Sequence, residues 1–87
     1  MSTDSDLRKW EAAKRRLRRK FPCECRVVIR LKPRGSVFND KGESCWGVCY
    51  GTGKSWVIHV ERLQDIDLSI NFLEHEYAHA LAGDGRK

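Results

Sequence analysis

The stretch SWVIHVE, residues 55–61, alternates apolar and polar side chains and is rich in β-branched and aromatic residues. This pattern predicts a β-strand that is buried on one side. Trp56, Ile58 and Val60 fall on the same side of the strand, and we expect them to belong to the core. His59 falls on the other side, so we interpret it as a surface or packing histidine rather than a metal ligand.

Two further strands are predicted upstream of this stretch. Residues 45–50 are joined to it by residues 51–54, a short glycine-containing segment that is typical of a tight hairpin. Residues 25–31 are also β-branched and alternating, and a polar segment with proline and glycine follows them. We expect the three strands to form an antiparallel sheet.

A first helix is predicted over residues 5–20, before the strands. Leu7, Trp10 and Leu17 recur there at helical spacing, so we expect them in the core. The opposite side of this helix carries lysines and arginines, and we expect these to remain in water. A Phe-Pro pair at residues 21–22 ends the pattern.

A second helix is predicted over residues 69–82, with Ser69 as its N-cap and Gly83 at its end. The expected fold class is therefore α+β: an N-terminal helix, a three-stranded antiparallel sheet and a C-terminal zinc-binding helix. At 87 residues, the chain has room for one modest core, and we expect one small domain over residues 1–87.

Composition excludes several classes of protein. Hydrophobic residues make up 40% and charged residues 33% of the chain, which is typical of a globular domain. No segment approaches the ~20 apolar residues that span a bilayer, and no apolar stretch of a secretory signal follows the first basic residues. The expected location is the cytoplasm, with no membrane partner.

Charge is concentrated at one end of the chain. The net charge is +5, and residues 1–34 hold twelve of the seventeen Lys and Arg residues. This asymmetry favours contact between the basic N-terminal helix and nucleic acid, although a solvated helix face has the same pattern. The alternative function is thus a nucleic-acid-binding module without catalysis, in which Trp46, Tyr50 or Trp56 stacks on bases.

Residues 75–79 read His-Glu-Tyr-Ala-His, inside the second predicted helix. On a helix, His75 and His79 lie one turn apart on the same side, so both can bind one metal ion, and zinc suits two neutral imidazoles. Glu76 is then the candidate general base for a water activated by the metal. This set of residues predicts hydrolysis of peptide bonds. The alternative is a solvated helix face on which both histidines are only polar.

These residues resemble a known family. Together with a Trp-Gly-x-Cys element at residues 46–49, the segment 73–81 is similar to the small zincin metallopeptidases related to SprT-like proteins, including phage-borne members. The similarity extends over roughly residues 45–83. The resemblance implies three roles: zinc ligands His75 and His79, and catalytic base Glu76.

The family pattern also implies a third zinc ligand from beyond this helix. Of the residues after His79, only Asp84 can ligate, and it would need a sharp turn at Gly83 and Gly85 to do so. We therefore expect the domain to lack its C-terminal part or to obtain the ligand from a partner. The chain by itself is expected to be a weak or inactive peptidase.

Two further expectations concern the redox state of the cysteines and the binding of a substrate. The spacing of Cys23, Cys25, Cys45 and Cys49 allows a second, structural metal site, but we interpret them as reduced, small apolar side chains. A peptide substrate is expected to pair with residues 55–61 if that strand is an exposed edge.

Overall fold

The computed structural model describes residues 3–22, 25–52 and 54–85. In chain order, the elements are α1 (Thr3–Lys20), β1 (Arg26–Lys32), β2 (Gly47–Thr52), β3 (Ser55–Glu61) and α2 (Ile66–Gly85). The predicted α+β class, with an N-terminal helix, three strands and a C-terminal helix, is confirmed.

The sheet is mixed, so the prediction of a purely antiparallel sheet is wrong. Its strand order is β1-β3-β2, and β3 runs parallel to β1 and antiparallel to β2. A parallel pair requires a long connection. Residues 33–54 supply it, because they carry both a loop and β2 before the chain returns as β3. Residues 55–61 are therefore the central strand, so the condition under which a peptide was expected to pair with them, an exposed edge, is not met.

One buried cluster joins both helices to a single face of the sheet. Ile58 and Val60 are fully buried and Trp56 packs against the cluster, as the alternation of β3 predicts. Trp10 and Leu17 of α1 are also buried, as expected. Leu7 is 40% exposed, so its prediction as a core residue is wrong. With 100° of rotation per residue, Leu7 lies at the margin of the side of α1 that Trp10 and Leu17 define.

The second helix begins earlier than predicted. Asp65 caps it, since its Oδ1 accepts the backbone N–H of Asp67 at 3.0 Å. Ser69, the predicted cap, is fully buried in the first turn of α2. Its Oγ donates to the Glu61 carbonyl at 2.8 Å and accepts the Leu63 N–H at 2.9 Å. Ser69 thus fastens α2 to the end of β3.

Side chains also connect α1 to its neighbours. The Tyr77 hydroxyl donates to the Phe21 carbonyl at 2.8 Å, which holds the end of α1 against α2. The Arg18 guanidinium donates to the Val27 carbonyl of β1 at 3.1 Å, so the expectation that these arginines all remain in water is wrong for Arg18. Among the described residues, no helix is long and apolar enough to cross a membrane.

Candidate metal centre

The buried side of α2 decides where its polar residues point. Leu73, Tyr77 and Ala80 are at most 2% exposed and belong to the core cluster. Their spacing places them on one side of the helix. His75 and His79 lie on the other side of the helix, and both are exposed. The helix rotation required by the core therefore presents the two histidines together at the surface.

The two imidazoles are in contact. Their Nε2 atoms lie 3.1 Å apart and their ring centroids 4.6 Å apart, with the rings nearly perpendicular. Two nitrogen ligands of a tetrahedral zinc ion, each at about 2.0–2.1 Å, are about 3.3 Å apart. The observed separation of His75 and His79 fits two ligands of one zinc ion. Without a metal, the same distance is that of an N–H···N hydrogen bond between two neutral rings.

Glu76 lies on the side of α2 that faces β2. A β-carbon built on Gly47 would be 3.3 Å from the Glu76 Cγ and 3.4 Å from its Oε2. A side chain at position 47 would therefore press on the carboxylate, whereas glycine leaves room for it. The carboxylate also acts on Cys49: burial, and secondly the charge of Glu76, raise the pKa of this thiol to about 11.

A groove runs beside these residues between α2 and the start of β2. Its volume is about 490 Å³, and it is open to solvent. His75 and Glu76 line it together with Phe72 and residues 44–47. In the described part of the chain, Glu76 has no hydrogen-bond or ion-pair partner. Its carboxylate is therefore available to a molecule in the groove.

The strand beside the groove, β2, is an edge of the sheet. The Glu61 N–H donates to the Trp46 carbonyl at 2.9 Å, and pairs in an antiparallel ladder alternate between bonded and non-bonded. Val48 and Tyr50 are therefore bonded to β3, whereas the backbone groups of Gly47 and Cys49 point to the outer edge. Residues 38–40 flank this edge and line a gap of about 300 Å³ together with Val48, Cys49 and Tyr50. At Cys45, just before β2, the edge is already paired, because the Cys45 N–H donates to the Val37 carbonyl at 3.0 Å.

A third metal ligand is not found in the described part of the chain. No group of three His, Cys, Asp or Glu side chains that could hold a metal is present there. The side chain of Asp84 lies outside the described residues. The expected turn at Gly83 is absent, because α2 continues through Gly85.

The remaining histidine lies away from this site, on the sheet face opposite the helices. His59 contacts the Tyr50 hydroxyl through Nδ1 at 2.9 Å. Burial, and then the charges of Lys32 and Arg30, lower the pKa of His59. The interpretation of His59 as a packing histidine agrees with this placement.

The cysteines do not form a second metal site in the described part of the chain. Cys45 and Cys49 are free and half-buried. Cys25 is in a disulfide, so the expectation of reduced thiols is wrong at that position. Cys23 lies outside the described residues.

Sequence reasoning overlooked Phe72 as a residue of the site. Its ring lies edge-on to the Trp46 ring, with centroids 5.3 Å apart, and both side chains line the groove with His75. Phe72 precedes His75 by three residues and Glu76 by four, and this helical spacing was the available signal. The contact with Trp46 depends on the tertiary structure.

Comparisons of this chain with protein-family models, curated proteins and solved structures find no match.

Replacing His75 or His79 with Ala is expected to abolish stoichiometric binding of Zn²⁺ or Co²⁺, because a single exposed imidazole holds either ion weakly. Titration calorimetry and the visible absorption of Co²⁺ measure this loss. His59→Ala is the matched control and should bind metal as the unmodified protein does. Loss of binding in the His59 variant, or in Cys45→Ala/Cys49→Ala, would contradict the assignment.

Proposed function

We propose that this chain is a zinc-dependent metallopeptidase domain in which His75 and His79 bind the metal and Glu76 is the general base. The observation that carries the proposal is the 3.1 Å separation of the two exposed Nε2 atoms, beside a groove that also contains the Glu76 carboxylate. The separation alone also fits a hydrogen bond between two neutral rings, so it is the Glu76 carboxylate beside the pair that favours a metal site. The proposal agrees with the resemblance to SprT-like zincins.

Each residue has a distinct task. The histidines offer one ring nitrogen each, which requires both Nε2 atoms to be unprotonated. Zinc, when bound, supplies a Lewis acid that activates water and polarises a carbonyl. Glu76 accepts a proton in the groove and returns it to the leaving amine. Gly47 permits this by leaving space for the carboxylate.

The outer edge of β2 is the best-supported place for the substrate backbone. An extended peptide at this edge would bond to the N–H and C=O groups of Gly47 and Cys49 and would have to fit the gap of about 300 Å³ between β2 and residues 38–40. This position brings it beside Glu76, whereas the central strand β3 has both edges occupied. The sequence-based expectation of pairing with residues 55–61 is therefore replaced by pairing with β2.

Two histidines do not complete the shell of a catalytic zinc ion, which has three protein ligands and one open position. We therefore expect weak hydrolysis by these residues alone. A third ligand would come from outside the described part of the chain or from a partner.

Glu76→Gln is expected to retain zinc and to lower peptide hydrolysis about 100-fold or more, because the amide cannot accept the proton. The measurements are zinc content by elemental analysis and cleavage of a quenched fluorogenic peptide mixture by the zinc-loaded protein. Glu74→Gln is a matched control on the same helix, since Glu74 is exposed and pairs with Arg16 at 3.7 Å. Equal loss in both variants, or none in Glu76→Gln, would contradict the role of Glu76.

A second candidate function is binding of single-stranded nucleic acid by α1. Arg15 and Arg19 are exposed and have no ion-pair partner among the described residues, whereas Arg16 and Arg18 are engaged within the protein. Unpaired cations on an exposed helix are available to phosphates. This candidate does not require metal at His75 and His79.

Arg15→Gln/Arg19→Gln is expected to reduce the slope of log affinity against log salt for a single-stranded oligonucleotide by about 1.4, since two phosphate contacts are lost. Fluorescence anisotropy across a salt series measures the slope. The control Arg30→Gln/Lys32→Gln removes the same charge from the opposite face of the protein. An equal change in both double variants would contradict a specific role of α1.

A further inference from the structure

The outward side of α2 carries a stripe of apolar residues and histidines, which we call the outer stripe. Its members recur at spacings of four and three residues, as in the seam of a coiled coil, so they lie on one side of the helix. They are Leu68, Phe72, His75, His79 and Ala82. Phe72 is half-buried, Leu68 is 48% exposed, and the other three are also exposed. The described part of the chain therefore leaves most of the outer stripe uncovered.

The surroundings of the outer stripe suit contact with another protein surface. Trp46 is 56% exposed and its ring lies edge-on to Phe72, which widens the apolar patch. Exposed apolar patches of this kind are typical of interaction sites. The stripe itself contains no charged side chain, and residues 66–85 contain no Lys or Arg. The net charge of +5 therefore does not oppose contact between two copies of this face.

The number of metal ligands identifies a second copy of this chain as the partner. A tetrahedral zinc site has four ligands, and His75 and His79 offer two nitrogens that lie 3.1 Å apart. The described residues contain no group of three ligands that could hold a metal. Two copies related by a two-fold axis present the same surface to each other. Their four imidazoles would complete one tetrahedral shell, with the apolar residues of both stripes beside it.

We propose that two copies of this chain share one zinc ion when zinc is limiting, and that His75 and His79 of both copies hold it where the outer stripes meet. The inference rests on the proposed function only for the assignment of these histidines as zinc ligands. A shell of four imidazoles has no open position, so the dimer is a resting form. Hydrolysis requires the form with one ion per chain, in which positions for water and substrate remain open.

The small size of the outer stripe makes the dimer depend on the metal. Stable interfaces use about 20–30 residues on each side, far more than the five of the stripe together with Trp46. The metal-free protein should therefore be a monomer. Excess zinc gives each chain its own ion, and mass action should then return the dimer to monomers.

The test is the mass of the protein as zinc is titrated from zero to excess. Sedimentation velocity measures the mass in solution, and native mass spectrometry counts the metal ions in each species. We expect a monomer of 10.1 kDa without metal and a dimer of twice that mass that contains one zinc ion. A chelator, or a large excess of zinc, should restore the monomer.

Two variants separate the ligands from the surface that surrounds them. His75→Ala should remain a monomer at every zinc concentration. Leu68→Lys keeps both histidines but places like charges on the facing stripes, so it should weaken the dimer about tenfold or more. It should still bind one ion per chain in excess zinc. Circular dichroism checks that both variants fold.

Tyr50→Lys is the matched control for Leu68→Lys. Tyr50 is 46% exposed, close to the 48% of Leu68, but it lies on the sheet face opposite the helices with His59. The Tyr50 variant should form the dimer as the unmodified protein does. Equal weakening of the dimer in both lysine variants would overturn the role of the outer stripe.

The remaining outcomes also decide between the claims. A monomer with one bound ion at every zinc concentration overturns the shared site and leaves the histidines as ligands. A dimer that contains two ions, forms without metal or persists in His75→Ala overturns the shared site as well. Absence of zinc binding overturns both the inference and the proposed function. A dimer with one shared ion, without hydrolysis at any zinc concentration, supports the inference and counts against the peptidase function.

Discussion

The burial of one side of α2 is the constraint on which the candidate site depends. Leu73, Tyr77 and Ala80 pack into the core, and this packing sets the rotation of the helix about its axis. Once the rotation is set, the residues two positions before and after Tyr77 must face outward. If the helix were rotated by one residue position, the pair His75 and His79 would have different surroundings, and Glu76 would no longer lie against Gly47. The packing of the core therefore also sets the geometry of the candidate site.

The second constraint is the close approach of α2 to β2. Gly47 has no side chain, so the Glu76 carboxylate lies against the backbone of an edge strand. The same residue offers its N–H and C=O to the outside of the sheet. The candidate base and the candidate binding edge thus meet at one glycine. Trp46, the residue before Gly47, is exposed and lines the groove together with Glu76.

Local patterns predicted the elements well, because each depends on nearby residues. The alternation of residues 55–61 and the helical spacing around His75 and His79 are visible without any tertiary information. The strand order is not, because the pairing of β3 with β1 depends on a connection of more than twenty residues. Ser69 shows a similar limit. Its hydroxyl suits a cap, but a buried bond to the Glu61 carbonyl competes for it and Asp65 takes the cap.

The histidine pair was predictable from spacing, whereas its surroundings were not. Phe72 and Trp46 are distant in sequence, and only the packing of α2 against the start of β2 brings their rings together. Sequence spacing likewise could not show that the described residues lack a third ligand. His75, Glu76 and His79 thus follow from a motif, and the groove beside them follows from the fold.

The most direct measurement of the central claim is X-ray absorption spectroscopy of the zinc-loaded protein. A metal held by His75 and His79 should give a first shell of nitrogen and oxygen only, at about 2.0–2.1 Å, with the outer-shell scattering of two imidazoles. That scattering should disappear in the double variant His75→Ala/His79→Ala and persist in His59→Ala. Sulfur scattering at about 2.3 Å, or a first shell without imidazole, would contradict the account.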